Sequence, residues 1–537
     1  MNKIKKLLFE LKKNYLIFPI TNGTELAKIN LIIDDKSLRE FDIELAVNKG
    51  QINFWSFLDI SIYNGKTAEI QIDCEIEKSP ILISQSNKIP NTESFYKEPL
   101  RPQFHFSQKI GWNNDPNGMV YHNKEWHLFF QHNPYGIKWG NMHWGHAVSK
   151  NLVHWEQLPI AIYNKKRDDA AFSGSAIIDL DNTAGWKTGK NDCMVAAWTS
   201  TGRGECISYS NDNGRTFQEF VGNPVIKHNG RDPKIIWYKP NQHWVMAVFD
   251  GDNKLGYIEF YSSNNLKDWK LESKIANYYE CPELFELPLN GDKNNTRWVI
   301  FSGDAKYTIG QFDGKTFTPE HKEKYQLHYG LYYASQLFNN SPDGRKIQIG
   351  WAKIEMVNMP FNQTFSFPHE LSLRKTEDGI RLFAEPINEI ELLYKDTYVI
   401  KNKILSSDKS IEIEVSGKLF DIEITFDIGN AKSIDLVIGK ENIIYNISTR
   451  KIATTLWYNG TLLEVNLKPI NKQVRIRVLV DHSIIEIIGN NGQVYITKDH
   501  HHYNNISNIK TFVRGGKAEI ISFIVHELNS IWENIND

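Results

Sequence analysis

One turn motif recurs through the middle of the chain. The sequence Ser-Lys-Asn-Leu-Val-His-Trp at 149–155 returns as Ser-Asn-Asn-Leu-Lys-Asp-Trp at 263–269, with looser copies at 210–217 and 312–317. A turn followed by an aromatic residue, repeated every ~40–60 residues among short apolar strand candidates, is typical of β-propeller blades. The alternative is ordinary turn chemistry in an unrelated all-β protein. The repeat favours the propeller.

Zones of β-type alternation flank the repeat on both sides. Apolar and polar residues alternate near 15–18 and 52–63, and again at 411–415, 474–478 and 484–488. Such period-two patterns indicate strands with one buried face. We therefore predict an all-β chain with three parts: a small N-terminal β accessory domain over 1–98, a β-propeller over 101–385 and a β-sandwich over 395–537, with a short helix at 386–394 before the sandwich.

Composition excludes several classes of partner. Hydrophobic residues make up 41% and charged residues 23%, with a formal net charge of -2, so neither nucleic acid nor an anionic membrane surface is an expected partner. No apolar run approaches the ~18 residues of a membrane span. The apolar run that follows the basic N-terminus is interrupted by Glu10, so this segment does not resemble a signal peptide. We therefore expect a cytoplasmic protein, or one whose leader was removed or is not included. The sequence does not indicate the oligomeric state.

Cysteine usage predicts neither a metal site nor a disulfide framework. The four cysteines, Cys74, Cys193, Cys206 and Cys281, are scattered, and no C-x-x-C pair is present. We interpret the first three as small buried hydrophobic residues. No cofactor and no metal are expected.

Three acids lie in distinctive segments. Asp115 is in Gly111–Gly118 (Gly-Trp-Asn-Asn-Asp-Pro-Asn-Gly), Asp232 is in Gly-Arg-Asp-Pro, and Glu280 stands among aromatics in Tyr-Tyr-Glu-Cys-Pro-Glu. Each alone fits a turn-capping or solvated acid. Cleavage of a glycosidic bond needs two carboxyl groups, and the blades of a propeller can deliver distant residues to one axial funnel. The residues alone leave that convergence open.

These three segments, in this order, resemble the defining motifs of glycoside hydrolase family 32, which contains invertases, inulinases and levanases. Further similar segments are Phe-Phe-Gln-His-Asn-Pro at 129–134, Trp-Gly-Asn-Met-His-Trp-Gly-His at 139–146, Phe-Ser-Gly-Ser at 172–175 and Val-Asp-His-Ser-Ile-Ile-Glu at 480–486. The resemblance covers about residues 101–530. It implies a five-bladed β-propeller followed by a β-sandwich, and hydrolysis of levan, inulin or sucrose.

The resemblance also implies roles for the acids. Asp115 becomes the nucleophile that forms a covalent fructosyl-enzyme, and Glu280 the acid/base. Asp232, supported by Arg231, stabilises the transition state. Two displacements retain the configuration of the sugar, which calls for carboxyl groups of Asp115 and Glu280 about 5–5.5 Å apart.

Further positions match the fructosyl pocket of the family. Asn114, Gln131, Trp139, Phe172 and Ser173 are expected to line it, and Trp112 and Trp351 to supply apolar walls. Core packing is an equal alternative for Trp351. Cys281 is expected to tune the neighbouring acid/base.

Two departures bear on specificity. Asn113 replaces a residue that is often apolar in the family, and His328 stands where many members have Asp. We expect His328 to alter contacts beyond the first sugar. The N-terminal zone is additional to the minimal family plan. It resembles N-terminal β extensions of some bacterial levanase-like members.

Other functions remain open on these residues. A fructosyltransferase could use the same scaffold, although plant-type transferases tend to replace the Trp at position 112, so its retention favours water as acceptor. A catalytically inactive fructan-binding protein is another alternative, disfavoured because all three acids are present. An arabinan- or xylan-acting relative is the third. The preferred linkage and exo or endo cleavage are not indicated.

Overall fold

β-strands dominate the molecule. The computed structural model describes residues 4–73, 82–164, 166–251, 255–500 and 505–532, so Cys74 lies outside the described residues. Within these ranges the helical segments are five short 3-10 helices: Lys49–Gln51, Ser61–Tyr63, Thr92–Ser94, Lys239–Asn241 and Asn388–Leu393. None of the helices in the described ranges is long and apolar enough to span a membrane. The predicted all-β class is confirmed.

Seven strands before residue 90 form two small antiparallel sheets. They are β1 (Lys5–Glu10), β2 (Tyr15–Ile20), β3 (Ala27–Ile33), β4 (Lys36–Ile43), β5 (Phe54–Asp59), β6 (Thr67–Asp73) and β7 (Ser84–Ser86). The sheet orders are β1-β6-β3-β4 and β5-β2-β7. Every second side chain of β3 is buried, because alternate residues of a strand face opposite sides, and both sheets bury one face in a shared apolar core.

Three four-stranded blades follow. Blade I holds β8 (Gly111–His122), β9 (Glu125–Asn133), β10 (His143–Ser149) and β11 (Trp155–Ile162); blade II holds β12 (Ala171–Asp179), β13 (Cys193–Ser200), β14 (Gly204–Ser210) and β15 (Gln218–Glu219); blade III holds β16 (Arg231–Tyr238), β17 (His243–Asp250), β18 (Tyr257–Ser263) and β19 (Lys270–Ala276). Each blade is an antiparallel meander in sequence order. Their strands are almost wholly buried except at the outermost one, as expected for sheets packed face to face around an axis.

Two more blades complete the propeller. Their region contains β20 (Glu283–Leu289), β21 (Asp292–Phe301), β22 (Lys306–Phe312), β23 (Phe317–Pro319), β24 (Tyr325–Gln326), β25 (His328–Gly330), β26 (Tyr332–Leu337), β27 (Lys346–Ala352), β28 (Phe361–Asn362), β29 (Thr364–Phe365), β30 (His369–Thr376) and β31 (Gly379–Pro386). Blade IV is β20 to β23, and blade V is β26, β27, β30 and β31. The short strand β28 pairs in parallel with β8, which closes the ring from blade V to blade I.

The recurring turn motif marks one place in each blade. All four copies connect the third strand to the fourth, in blades I to IV. In the two strict copies, Leu152 and Leu266 have positive φ, and the indoles of Trp155 and Trp269 donate to the carbonyl oxygens of these leucines at 3.0 and 3.1 Å. The repeat is therefore a structural repeat, and the predicted five-bladed propeller is confirmed.

The last part of the chain is a sandwich of two antiparallel sheets. Its strands are β32 (Tyr394–Ser406), β33 (Ser410–Gly417), β34 (Phe420–Asp427), β35 (Ser433–Ile438), β36 (Glu441–Asn446), β37 (Lys451–Thr455), β38 (Leu462–Asn466), β39 (Gln473–Val480), β40 (Ile484–Gly489), β41 (Val494–Asp499), β42 (Ile506–Arg514) and β43 (Lys517–Leu528). The orders are β41-β40-β39-β34-β43-β32 and β33-β42-β35-β36-β37-β38. Between the sheets lies a core of Ile, Val, Leu and Phe.

A buried ionic clasp joins the sandwich to the start of the propeller. The carboxylate of Asp481 accepts hydrogen bonds from the backbone N–H groups of Gln103, Phe104 and His105 at 2.6–3.1 Å, and from His105 Nδ1 at 2.9 Å. The other ring nitrogen of His105 lies 3.4 Å from Glu486. Burial alone would lower the pKa of His105, but the two carboxylates raise it to about 9. Two acids of the segment at 480–486, which resembles the family signature, therefore attach the sandwich to the propeller.

His328 belongs to the same interface, so the expected effect on substrate contacts was wrong. Strand β25 pairs with β41 of the sandwich, and the His328 ring is buried and stacked on Tyr332 at 3.8 Å, next to Tyr495. Asn113 is also fully buried. Neither side chain is exposed to a substrate, and both residues are part of the protein interior.

Asp481→Asn should weaken the attachment of the sandwich to the propeller. Removing one charge of a buried pair leaves the other uncompensated and costs about 3–5 kcal/mol of unfolding free energy. Because the pKa of His105 is raised, its contribution is complete below its ordinary value of about 6.5 and is lost as pH rises through about 9. The pKa of Asp481 is lowered, so its contribution is lost again at acid pH. Denaturant unfolding at several pH values measures this, and the loss should be largest between about pH 4 and 6.5.

Asp378→Asn is the matched control. Asp378 pairs with Lys468 across the same two parts of the chain, but both side chains are exposed. Exposed pairs contribute little, so this variant should unfold like the wild type. Equal effects of the two substitutions would contradict the assignment of the clasp.

Candidate active site

The first strands of the blades place polar side chains at one end of the propeller axis. Asp115 lies in β8, Ser173 in β12, Asp232 in β16 and Tyr333 in β26, each within five residues of the strand's beginning. Glu280 comes three residues before β20. The first strands of neighbouring blades pack side by side, so residues near their beginnings meet at the mouth of one funnel.

Each of these strands is irregular where it carries its functional side chain. The pairing between first and second strand shifts between Asn113 and Pro116, Ala171 and Gly174, Arg231 and Lys234, and Tyr333 and Gln336. Such β-bulges interrupt the strict alternation of side chains and turn one of them in a new direction. Four blades therefore use the same device to aim a side chain at the axis.

A single cysteine connects two of the acids. Cys281 Sγ lies 3.6 Å from Oδ2 of Asp115 and 3.4 Å from Oδ2 of Asp232, and its backbone N–H donates to the same Asp232 oxygen at 3.1 Å. Burial and the neighbouring carboxyl groups raise the pKa of the Cys281 thiol. The thiol therefore stays protonated and can donate to both carboxylates. Its contacts are with Asp115 and Asp232, and Glu280 is only its neighbour in sequence.

The two oxygens of Asp115 have different partners. Oδ1 accepts from Asn114 Nδ2 at 3.0 Å and Oδ2 from Ser173 Oγ at 2.8 Å. The indole of Trp112 donates to Asn114 Oδ1 at 3.0 Å, which fixes the orientation of that amide. Burial and the charge of Glu280 raise the pKa of Asp115, and the hydrogen bonds oppose this shift. The donors thus favour an ionised carboxylate with a defined orientation.

Glu280 is held from two sides. Its Oε2 accepts from Arg231 Nε at 2.8 Å and lies 2.6 Å from Arg231 Nη2, while Oε1 accepts from the hydroxyl of Tyr333 at 2.6 Å. The guanidinium of Arg231 lies over the Phe249 ring at 4.8 Å. Backbone hydrogen bonds from Gly303 N–H to Glu280 O and from Ala334 N–H to Gly303 O link the segment that carries Glu280 to strand β26, which carries Tyr333.

Asp232 occupies a strained and nearly closed position. Its φ is 65° and that of Cys281 is 52°, in the left-handed region that side-chain-bearing residues rarely adopt. The N–H of Asp232 donates to Thr199 Oγ1 at 2.9 Å, and the residue is 4% exposed. Burial, and then the charges of Glu280 and Asp115, raise its pKa to about 8. Asp232 therefore retains its proton well above the ordinary range of an aspartate.

Aromatic rings border the acids on two sides. Trp112 and Trp351 meet edge to face at 6.0 Å, and Trp351 Nε1 donates to Gln363 Oε1 at 3.0 Å. On the other side Trp139 meets Phe172 edge to face at 5.9 Å, and Trp139 is 59% exposed. Rings of this kind form apolar walls on which the faces of a sugar can pack.

Gln131 stands opposite the bulge that carries Asp115, because the pairs on either side of it are Asn113 with His132 and Pro116 with Phe130. Its side chain is buried, and its amide donates to Asn117 Oδ1 at 3.5 Å. Tyr333, Thr199 and Gln363 were not among the predicted site residues. Tyr333 stands directly before the shift in β26, the place that Asn113 has in β8, so an alignment of the blades on their acids would not have identified it.

Models of known families match most of the chain. The N-terminal domain of glycosyl hydrolases family 32 matches residues 105–386, and the C-terminal domain of the same family matches residues 389–527. The chain belongs to glycoside hydrolase family 32.

Named relatives of this family 32 protein span the same region. Levanase from Bacillus subtilis (strain 168) is 34% identical over 491 residues, covering 82% of this chain and 72% of the levanase. Invertase 2 of Saccharomyces cerevisiae is 34% identical over 448 residues, covering 75% of this chain and 81% of the invertase. A solved β-fructofuranosidase from Schwanniomyces occidentalis, complexed with fructosyl-erythritol, superposes with a TM-score of 0.75 at 27% identity, covering 82% of this chain and all of that one.

Asp232→Asn should stabilise this family 32 protein at alkaline pH. The pKa of Asp232 is about 8 in the folded state and about 3.9 in an unfolded chain, so ionising it opposes folding increasingly between those values. The gain in unfolding free energy should be near zero at pH 4 and on the order of a few kcal/mol at pH 8. Denaturant unfolding at the two pH values measures it.

Asp396→Asn serves as the control because Asp396 is exposed in β32. It should change stability equally little at both pH values. A gain for Asp232→Asn that does not depend on pH would contradict the raised pKa.

Proposed function

We propose that this chain is a retaining glycosidase that releases fructose from β-fructofuranosides such as levan, inulin or sucrose. The observation that carries the proposal is the convergence of Asp115, Asp232 and Glu280 in one pocket, with Cys281 touching two of the carboxyl groups and Arg231 reaching the third. A pair of carboxyl groups flanking one bond is what glycosidic hydrolysis requires.

In the first step Asp115 attacks the anomeric carbon of the terminal fructosyl unit. The bond from that carbon to the leaving oxygen breaks, and protonated Glu280 gives its proton to this oxygen. A covalent fructosyl-enzyme and a free alcohol result. The hydrogen bonds from Asn114 and Ser173 support this role, since they hold both oxygens of Asp115 in place.

In the second step water replaces the leaving alcohol. Glu280, now ionised, takes a proton from the water as its oxygen attacks the anomeric carbon, and the ester to Asp115 breaks. Two inversions restore the original configuration. A separation of about 5–5.5 Å between the two carboxyl groups is expected for this course and stays a prediction.

Asp232 and Arg231 are proposed to act on the sugar hydroxyls. Asp232 lies against Cys281 at the pocket floor, where its buried carboxyl can hold hydroxyl groups more strongly as charge develops in the ring. Cys281 is proposed to position Asp115 and Asp232 by donating its S–H. Its raised pKa argues against a thiolate nucleophile.

Asn114, Ser173, Phe172 and Trp139 are proposed as contacts of the fructosyl unit on one side, and Trp112 and Trp351 as walls on the other. Gln131, opposite the bulge that carries Asp115, is proposed as a further contact of the fructosyl unit. We also propose the division into an N-terminal β domain over 1–98, a catalytic propeller over 101–385 and a sandwich over 395–537. The separate sheets described above and the family matches at 105–386 and 389–527 support it.

Asp115→Asn should abolish hydrolysis of sucrose and inulin. The amide keeps the shape of the side chain but cannot form the covalent intermediate, so kcat should fall on the order of 10⁴-fold or more. Steady-state release of fructose measures this, with unfolding curves as a check on folding. Asp313→Asn, in an exposed turn of blade IV, is the control, and wild-type kcat in Asp115→Asn would refute the nucleophile.

Glu280→Gln should separate substrates by their leaving groups. The comparison uses kcat/KM, which reports the first step and not the later hydrolysis of the fructosyl-enzyme. Loss of proton donation should lower kcat/KM for sucrose about 10²–10⁴-fold, whereas kcat/KM for fructosyl fluoride, whose leaving group needs little protonation, should fall much less. Removing the charge of Glu280 should also lower the pKa of Asp115, which moves the acid limb of the fluoride pH profile to lower pH. Equal losses on both substrates would contradict the acid role.

A further inference from the structure

We propose that the N-terminal β domain is a positioning element for the substrate pocket, because it holds the connection from 134 to 142 and thereby fixes Trp139. The proposal rests on the proposed function in one respect, namely that Trp139 contacts the sugar. The connection joins β9 to β10 in blade I at the pocket end of the propeller, and all of its residues are described, none of them in a strand.

An aromatic side chain anchors the beginning of the connection. Tyr135 is 1% exposed and stacks on Phe41 of β4 with ring centroids 3.8 Å apart and an interplanar angle of 14°. Its ring also meets the edge of Phe18 in β2 at 6.3 Å. Tyr135 therefore belongs to the core of the N-terminal domain, although it is part of the propeller sequence. Its hydroxyl has no hydrogen-bond partner in the described part of the chain, so the ring itself makes the attachment.

Polar contacts anchor the rest of the connection. The side chain of Asn141 accepts from the N–H of Asp42 at 2.9 Å and donates to the carbonyl of Asp42 at 2.8 Å, as a neighbouring strand would. Ser56 Oγ donates to the carbonyl of Pro134 at 2.7 Å. Lys138 pairs with Glu44 at 2.8 Å. The propeller itself contributes hydrogen bonds from Asn133 Nδ2 to the carbonyl of Lys138 at 2.9 Å and from Asn362 Nδ2 to the carbonyl of Ile137 at 3.1 Å, and the anchors at both ends of the connection come from the N-terminal domain.

Trp139 lies between these anchors and faces the pocket. Its indole is mostly exposed and touches Phe172, the residue before Ser173, which donates to Asp115. Phe41 thus holds Tyr135, four residues before Trp139 in the same connection, and Trp139 in turn contacts Phe172 beside the acids. An exposed indole on an unanchored connection of nine residues would be ordered only when sugar binds, and that ordering costs affinity. Anchoring the connection beforehand removes this cost and lowers KM.

The test is a double-mutant cycle in the full-length chain with inulin and sucrose as substrates. Tyr135→Ala removes the anchor and should raise KM about tenfold with little change in kcat. Tyr135→Phe keeps the ring and should restore the wild-type KM. Trp139→Ala should also raise KM, and Tyr135→Ala should add nothing further in the Trp139→Ala background, because both act through one indole. Additive effects of the two substitutions would overturn the proposal.

A stability control separates positioning from general destabilisation. Ile476→Ala opens a cavity in the sandwich core, far from the connection, and should lower the unfolding midpoint without raising KM. A rise in KM with Ile476→Ala equal to that with Tyr135→Ala would refute positioning.

Acrylamide quenching of Trp139 provides a readout that is independent of activity. Its contribution is the difference between each protein and the same protein carrying Trp139→Phe, and it should be quenched more strongly when Tyr135→Ala is present. Unchanged quenching would overturn the proposal even if hydrolysis is normal. Absence of fructose release from wild-type protein would instead refute the proposed function and leave the quenching result to decide the positioning role.

Discussion

The interruption of β pairing in the first strand of four of the five blades is the constraint on which the active site depends. A regular strand would send alternate side chains into the packing between blades and leave the axis without a polar group. The bulges at Asp115, Ser173, Asp232 and Tyr333 break this alternation at the same level in four blades. A fold built on repeated sheets thereby presents a different side chain from each blade to one point.

Bringing three carboxyl groups together opposes folding, and the protonation of one acid and hydrogen bonds to the other two offset this cost. Asp232 is strained, buried and protonated far above its ordinary range. Arg231 and Tyr333 donate hydrogen bonds to the carboxyl oxygens of Glu280. Asn114 and Ser173 donate to those of Asp115, so negative charge on either side chain lies on oxygens with fixed hydrogen-bond partners. Stability given up at such a site is a usual cost of a prearranged catalytic group.

Sequence reasoning reached the architecture because its signals were local. The Ser-x-Asn-Leu-x-x-Trp turns form their own hydrogen bonds, within seven residues, and so appear in the sequence wherever the third strand meets the fourth. The three acids were found through motifs for a similar reason. The contacts of the Cys281 thiol could not be predicted, since Asp115 is 166 residues earlier in the chain and Asp232 is 49 residues earlier. His328 was misjudged because its neighbours, Tyr332 in the propeller and Tyr495 in the sandwich, are brought together by the interface between the two parts, which no local pattern reports.

Blade I carries Asp115 and receives support from every other part of the chain. Asp481 of the sandwich binds His105 in the segment that leads into blade I, and β28 of blade V pairs with the first strand of blade I. The N-terminal domain contacts the connection between the second and third strands of blade I through Tyr135 and Asn141. The ring of blades closes where blade V meets blade I, and a propeller can open at this closure. Attachments to blade I therefore restrict its motion most. The two flanking domains therefore act on the same structural element, and that element carries both the proposed nucleophile and the exposed indole beside it.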